Sequence, residues 1–196
     1  MREDLPSSLA VVLEIVSVLE NLGVQYHLGG SFAAAVHGVP RQTRDADVVA
    51  DLDAATAAQL VKLLQGDFYI DADATAAAVV RRGTFNAIHL ATGFKVDFFV
   101  AGTEAFDAAE LQRSELQLIA ADPPRSVYIK SAEDTVLRKL QWFRDGGEVS
   151  DRQWNDVLGI LLTQGSRLDE GYLKEWAEAL GVADLLDRAL REVREA

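Results

Sequence analysis

The strongest constraint on this chain is a pair of aspartates, Asp45 and Asp47, at the head of an alternating segment, DADVVADL at 45–52. The segment reads as a strand. Side chains two apart on a strand point to the same face. Both carboxylates therefore project into one space, while Ala46 and Val48 face the opposite way, toward a core. A third acid, Asp97, lies in Lys95-Val96-Asp97-Phe98-Phe99, another strand-like run. An acid amid Val and Phe is costly unless its charge is compensated. If these two strands are neighbours, three carboxylates converge.

Magnitude decides what such a cluster needs. Two carboxylates ~5 Å apart repel by roughly 3 kcal/mol at an effective dielectric of 20. Three do not stay ionised together cheaply without a cation. Mg2+ prefers oxygen ligands and is held by one or two carboxylates plus substrate phosphates. A second metal about 3.5–4 Å away can activate an attacking oxygen. The third acid then either ligates that metal or accepts the proton of the attacking hydroxyl. The bland alternatives stand beside this: an Asp-x-Asp pair on a solvated strand end, and for Asp97 a salt bridge to Lys95 or an arginine.

The residues upstream sharpen the case. Residues 25–28 read as a short strand running into Gly29-Gly30, and 31–37 as an alanine-rich helix stopped by Gly38 and Pro40. Glycines let the backbone turn tightly and approach a ligand. A helix start offers free amides and a favourable dipole to phosphate oxygens, and the Ser31 hydroxyl can add a hydrogen bond.

The rest of the chain reads as alternating elements. Helical spacing marks 9–19, 54–64 and 75–82. Residues 68–70 form a short strand candidate. The runs 85–91 and 94–100 flank Thr92-Gly93, a hairpin signal. Strand candidates recur at 116–120 and 127–129. After Ser131, which with Asp134 resembles a capping box, the texture turns helical: 132–144, 150–162 and 168 onward. The expected class is α/β (α+β), a small mixed sheet with flanking helices, residues 1–130, followed by a helical C-terminal part, 131–196.

Composition narrows the function classes. Hydrophobic residues make up 49% and charged residues 26% of the 196, the balance of a folded globule. With no cysteine, disulfides, thiol nucleophiles and thiolate metal sites are excluded together. The formal net charge of -12 disfavours broad binding to phosphate backbones. The apolar stretch at 9–19 is interrupted by Glu14 and preceded by Arg2, Glu3 and Asp4, a poor signal-peptide start. No apolar run approaches the ~18 residues of a spanning helix, so the expectation is a cytoplasmic protein with no membrane partner.

The run LGGSFAAAVHGVPRQTRDADVVADL, with KVDFF later, resembles the DNA-polymerase-beta-like nucleotidyltransferase superfamily over roughly residues 24 to 100. That motif is a hydrophobic residue, Gly-Gly or Gly-Ser, a helix-length spacer, Asp-h-Asp-h, and a third Asp on a later strand. HGVPRQTRDAD resembles especially the bacterial branch of abortive-infection toxin-type and minimal nucleotidyltransferases. The resemblance implies Mg2+ (Mn2+ as the alternative) on Asp45 and Asp47, with Asp97 as the third acid. It implies triphosphate binding at Gly29, Gly30 and Ser31. Leu137-Arg138-Lys139-Leu140 and Asp156-Val157-Leu158 resemble the family's helical segments, implying a phosphate contact at Lys139 and an accessory polar group at Asp156. Ala46 is smaller than the usual branched residue between the acids, and the spacer from Ser31 to Asp45 is long.

Other residues carry two readings each. Arg41 and Arg44 either neutralise triphosphate charge or pair with Asp45, Asp51 or Asp53. Lys139 is either a phosphate contact or a boundary lysine, and Asp156 either an accessory group or a solvated helix acid. His27, His37 and His89 read as packed, capping or surface residues, and Trp142, Trp154 and Trp176 as core or interface. The implied function is transfer of a nucleoside monophosphate from an NTP to an acceptor hydroxyl on a tRNA end, a protein or a small molecule. Two alternatives remain at this point: a non-catalytic nucleotide-binding or partner component, as in a toxin–antitoxin pair with an antitoxin-type protein partner, and a scaffold with surface acids.

Overall fold

The computed structural model describes residues 7–40 and 43–195. In chain order its elements are α1 (Ser7–Asn21), β1 (Tyr26–Leu28), α2 (Gly30–His37), β2 (Asp45–Ala50), α3 (Ala54–Leu64), β3 (Phe68–Ile70), α4 (Ala72–Val80), β4 (Thr84–His89), β5 (Lys95–Val100), α5 (Ala105–Gln112), β6 (Glu115–Ala121), β7 (Pro124–Ile129), α6 (Ala132–Asp145), α7 (Asp151–Gln164), α8 (Glu170–Ala179) and α9 (Ala183–Glu195). The described residues fall into two compact units. One is drawn from Met1–Gly29 and Thr43–Ile129, the other from Gly30–Gln42 and Lys130–Ala196.

The first unit carries a seven-stranded mixed sheet in the order β3-β4-β5-β2-β1-β7-β6. β2 and β5 run parallel, as do β1 and β7; the other pairs are antiparallel. Alternation decides which face is the core. Ala46, Val48 and Ala50 of β2 are buried, and so are Val96, Phe98 and Val100 of β5. Phe85 of β4 stacks on Phe98 with ring centroids 4.7 Å apart. Leu60, Val61 and Leu64 of α3 and Val12, Ile15, Val16 and Leu19 of α1 complete this core. Asp53 fixes the start of α3, accepting a hydrogen bond from the Thr56 amide at 2.7 Å while Thr56 Oγ1 accepts from the Asp53 amide. This is the mixed α/β architecture expected from the sequence.

One element has no counterpart in the sequence reading: α5, AFDAAELQ. It is short and buries only Phe106, Glu110 and Leu111. Its apolar signal is too sparse to stand out by period.

The second unit is helical. Ser131 caps α6, accepting from the Asp134 amide, and its hydroxyl donates to Asp134 Oδ2 at 2.7 Å. Val136, Leu137, Leu140 and Phe143 of α6 and Trp154, Val157, Ile160 and Leu161 of α7 are buried. α2 comes against α7 with almost no room. A Cβ built on Gly38 would lie 3.0 Å from the Ile160 amide nitrogen and 3.1 Å from the Gly159 carbonyl carbon. The region read as helical from 168 onward holds two helices, α8 and α9, separated at Gly181, whose φ of 69° suits glycine.

Candidate active site

The acids meet through strand register. In the parallel pair β2–β5, Asp47 lies opposite Asp97 and Asp45 lies opposite Lys95. Adjacent strands run about 4.8 Å apart, so these four positions form a compact square. All four are on the face away from the core and are half-buried, while Ala46, Val48, Val96 and Phe98, which alternate with them, are buried. On the far side of β5, Asn86 of β4 is paired with Asp97. On the far side of β2, the Gly29 amide donates to the Asp47 carbonyl at 2.8 Å, holding the end of β1 against this part of the strand.

Three anions and one cation occupy the square. Lys95 Nζ lies 2.6 Å from Asp97 Oδ2, the alternative foreseen for Asp97 in the sequence. Lys95 holds its proton more tightly than an ordinary lysine. The hydrogen bond to Asp97 is the main cause, partial desolvation opposes it, and the fields of Asp97, Asp45 and Asp47 add to it.

For a divalent cation the donor chemistry fits, since a hard ion takes carboxylate oxygens and two of these acids are registered side by side. As the side chains stand, no three His, Asp or Glu groups among the described residues are gathered to hold a metal. Asp97 is engaged with Lys95 instead. A cavity of about 330 Å³ in the same unit, lined by Glu20, Gln25, Tyr26, Leu111 and Tyr128, lies at the other end of β1, and the three acids are not among its lining residues.

Comparison with solved structures fixes the fold. The chain is similar to the antibiotic-resistance factor ANT(2'')-Ia in solution, with 16% identity, a TM-score of 0.54, and 96% of this chain and 95% of that one covered. A crystal structure of ANT(2'')-Ia in complex with adenylyl-2''-tobramycin gives 15% identity and a TM-score of 0.55 over 97% and 100%. An antigenic nucleotidyltransferase-like protein from Paracoccidioides brasiliensis gives 16% identity and a TM-score of 0.55 over 94% and 92%. The chain has a nucleotidyltransferase fold. No protein-family model matches the sequence, and a search of curated proteins finds no match.

Within this nucleotidyltransferase fold the remaining candidate residues divide by unit. In the first, Arg44 is exposed just before β2. Asp51, one of the acids considered as a partner for the arginines, instead pairs with Arg82 at 3.0 Å, and Asp53 is the α3 cap. Arg41 lies outside the described residues. In the second unit, Gly30 begins α2 with a φ of 51°, a conformation that favours glycine. The Ser31 hydroxyl accepts from Arg152 at 2.6 Å. Lys139 and Asp156, read separately in the sequence, are partners: Lys139 Nζ lies 2.8 Å from Asp156 Oδ2 and donates to Gln153 Oε1 at 2.8 Å. Lys139 is buried, unlike a boundary lysine.

The histidines follow the packing readings. His27 is buried in β1, and His37 is buried with its Nε2 2.7 Å from the Lys130 carbonyl oxygen. Trp154 is a core residue, whereas Trp142 is exposed. One polar residue, Arg152, went unread in the sequence. It carries no local sign of its bond to a serine 121 positions away. Lys95 did carry one, because it stands two before Asp97 on a strand and so must share its face. No helix among the described residues is long and apolar enough to cross a membrane.

Proposed function

We propose that this chain is a Mg2+-dependent nucleotidyltransferase, transferring a nucleoside monophosphate from an NTP to an acceptor hydroxyl with release of pyrophosphate. The observation that carries this reading is the side-by-side register of Asp47 and Asp97, with Asp45 on the same face, at the end of the strand pair where Gly29 is bonded. Asp45, Asp47 and Asp97 would hold the metal, Asp97 through one oxygen, leaving its other oxygen for the acceptor's proton. A bound Mg2+ (or Mn2+) there neutralises triphosphate charge. Asp97 accepts the proton of the acceptor hydroxyl as its oxygen bonds to the α-phosphorus. The bond from that phosphorus to its bridging oxygen breaks, and the electron pair leaves with pyrophosphate. Preorganised charge and positioning supply most of the acceleration.

Gly29, Gly30, Ser31, Arg41, Arg44, Lys139 and Asp156 are proposed to serve nucleotide binding. Helix-start amides and a hydroxyl suit phosphate oxygens, and guanidinium groups suit them bidentately. Lys139, committed to Asp156 and Gln153, serves by bracing α6 against α7. For the acceptor, the net charge of -12 favours a small cationic molecule over a large RNA footprint. Because ANT(2'')-Ia is known in complex with adenylyl-2''-tobramycin, an aminoglycoside is the first acceptor to try. A tRNA end and a protein hydroxyl follow. A cytoplasmic setting fits cysteine-free chemistry on NTPs.

The test is thermal shift with each NTP, with and without Mg2+, on wild type and on Asp45→Ala/Asp47→Ala, followed by pyrophosphate release over the acceptor panel. The expected result is a Mg2+-dependent shift in wild type that the double variant lacks. A well-folded wild type that no nucleotide shifts would sink the reading.

A further inference from the structure

We propose that Lys95 is a displaceable counter-ion built into the carboxylate face: its ammonium stands on Asp97 in place of a metal cation, and a divalent cation that takes up Asp97 drives it off. This rests on the nucleotidyltransferase reading of the face and adds to it a residue that governs metal loading.

Three observations support it. The first is position. Lys95 is the one cation in the registered square of Asp45, Asp47, Lys95 and Asp97, and it lies directly opposite Asp45. The second is contact. Its Nζ is 2.6 Å from Asp97 Oδ2, so a metal taking that carboxylate would meet the ammonium's positive charge at close range. The third is exposure. The Lys95 side chain is 43% exposed and that of Asp97 23%, so the ammonium can leave for water without crossing a packed layer. A flexible four-carbon stem bearing a well-hydrated point charge suits that exchange better than a guanidinium fork would. The formal charge of the square is then -2 with Lys95 in place and -3 without it. A divalent cation arriving alone competes with a resident charge, whereas one arriving on a triphosphate brings anionic oxygens toward which the freed ammonium can turn.

Lys95 is thus a positioning residue for Asp97, and the test reads metal affinity without nucleotide. Mn2+ is titrated into wild type, Lys95→Met, Lys95→Arg and Asp47→Ala, free Mn2+ is followed by electron paramagnetic resonance, and folding is checked by circular dichroism. Removing one positive charge ~5 Å from the ion should tighten Mn2+ binding on the order of three- to tenfold at low salt, with the gain shrinking as salt is added. Lys95→Arg should bind Mn2+ with the wild-type affinity or more weakly, since it keeps the charge and holds the carboxylate more firmly. If wild type binds Mn2+ through Asp47 but Lys95→Met binds equally or more weakly, the inference falls and the nucleotidyltransferase reading stands. If Lys95→Arg tightens binding as much as Lys95→Met, shape and not charge is at work, and the inference again falls. If neither wild type nor Lys95→Met binds Mn2+ in an Asp47-dependent way, both fall together.

Discussion

Two lysine–aspartate pairs of nearly equal length, one in each unit, show how burial separates chemistry from architecture. Lys95–Asp97 spans 2.6 Å with side chains 43% and 23% exposed. Lys139–Asp156 spans 2.8 Å with side chains 3% and 12% exposed. Water screens the first and offers each partner an alternative, so such a pair contributes little to stability and exchanges readily. The second is almost closed off from solvent. Gln153 satisfies another of its donors, and losing one partner would leave a charge stranded in the interior. The same two residue types therefore form a solvent-accessible pair in one unit and a brace in the other.

That contrast can be broken experimentally, and the largest effect is expected in the buried pair. Lys139→Met should cost about 3–5 kcal/mol in urea unfolding, because Asp156 is left uncompensated. Lys139→Met/Asp156→Leu should recover most of it. A loss below ~1 kcal/mol in the single variant would show that Lys139 is free for phosphate binding after all.

Next in size is the exposed face seen through its ligand. At 100 times its dissociation constant, Mg2+–NTP should stabilise wild type by ~2.7 kcal/mol. Asp45→Ala/Asp47→Ala should lose that gain while keeping its ligand-free melting temperature. A double variant that melts early would make these acids structural and erase the distinction.

The tightness of the second unit is tested by Gly38→Ala. The new methyl would press on the backbone of Gly159 and Ile160, which cannot rotate aside. The expected destabilisation is about 1–3 kcal/mol by thermal melting. A neutral result would show that α2 shifts freely on α7.

The smallest effect should come from Lys95→Met without metal. Its change in unfolding free energy should stay within ~1 kcal/mol, as for other exposed pairs. A larger loss would place Lys95–Asp97 in the same structural class as Lys139–Asp156.

Much of the scaffold was legible from local pattern. Helix α3 and strand β3 fall where their spacing put them, and Ser131 caps α6 as its neighbour Asp134 indicated. The alternation around Asp45 and Asp47 assigned Ala46 and Val48 to the core. Helix α5 escaped because eight residues with two apolar anchors give too weak a period, and only packing makes it a helix.

What the sequence determined by itself was therefore which side of each strand an acid occupies, since side-chain direction follows from a two-residue period within one strand. Tertiary structure alone decided that β2 and β5 are parallel neighbours with Asp47 opposite Asp97, that Arg152 reaches Ser31, and that Lys139 is paired with Asp156. Those facts join residues 17 to 121 positions apart. Their register is set by the fit of whole elements in the core, which no local period encodes.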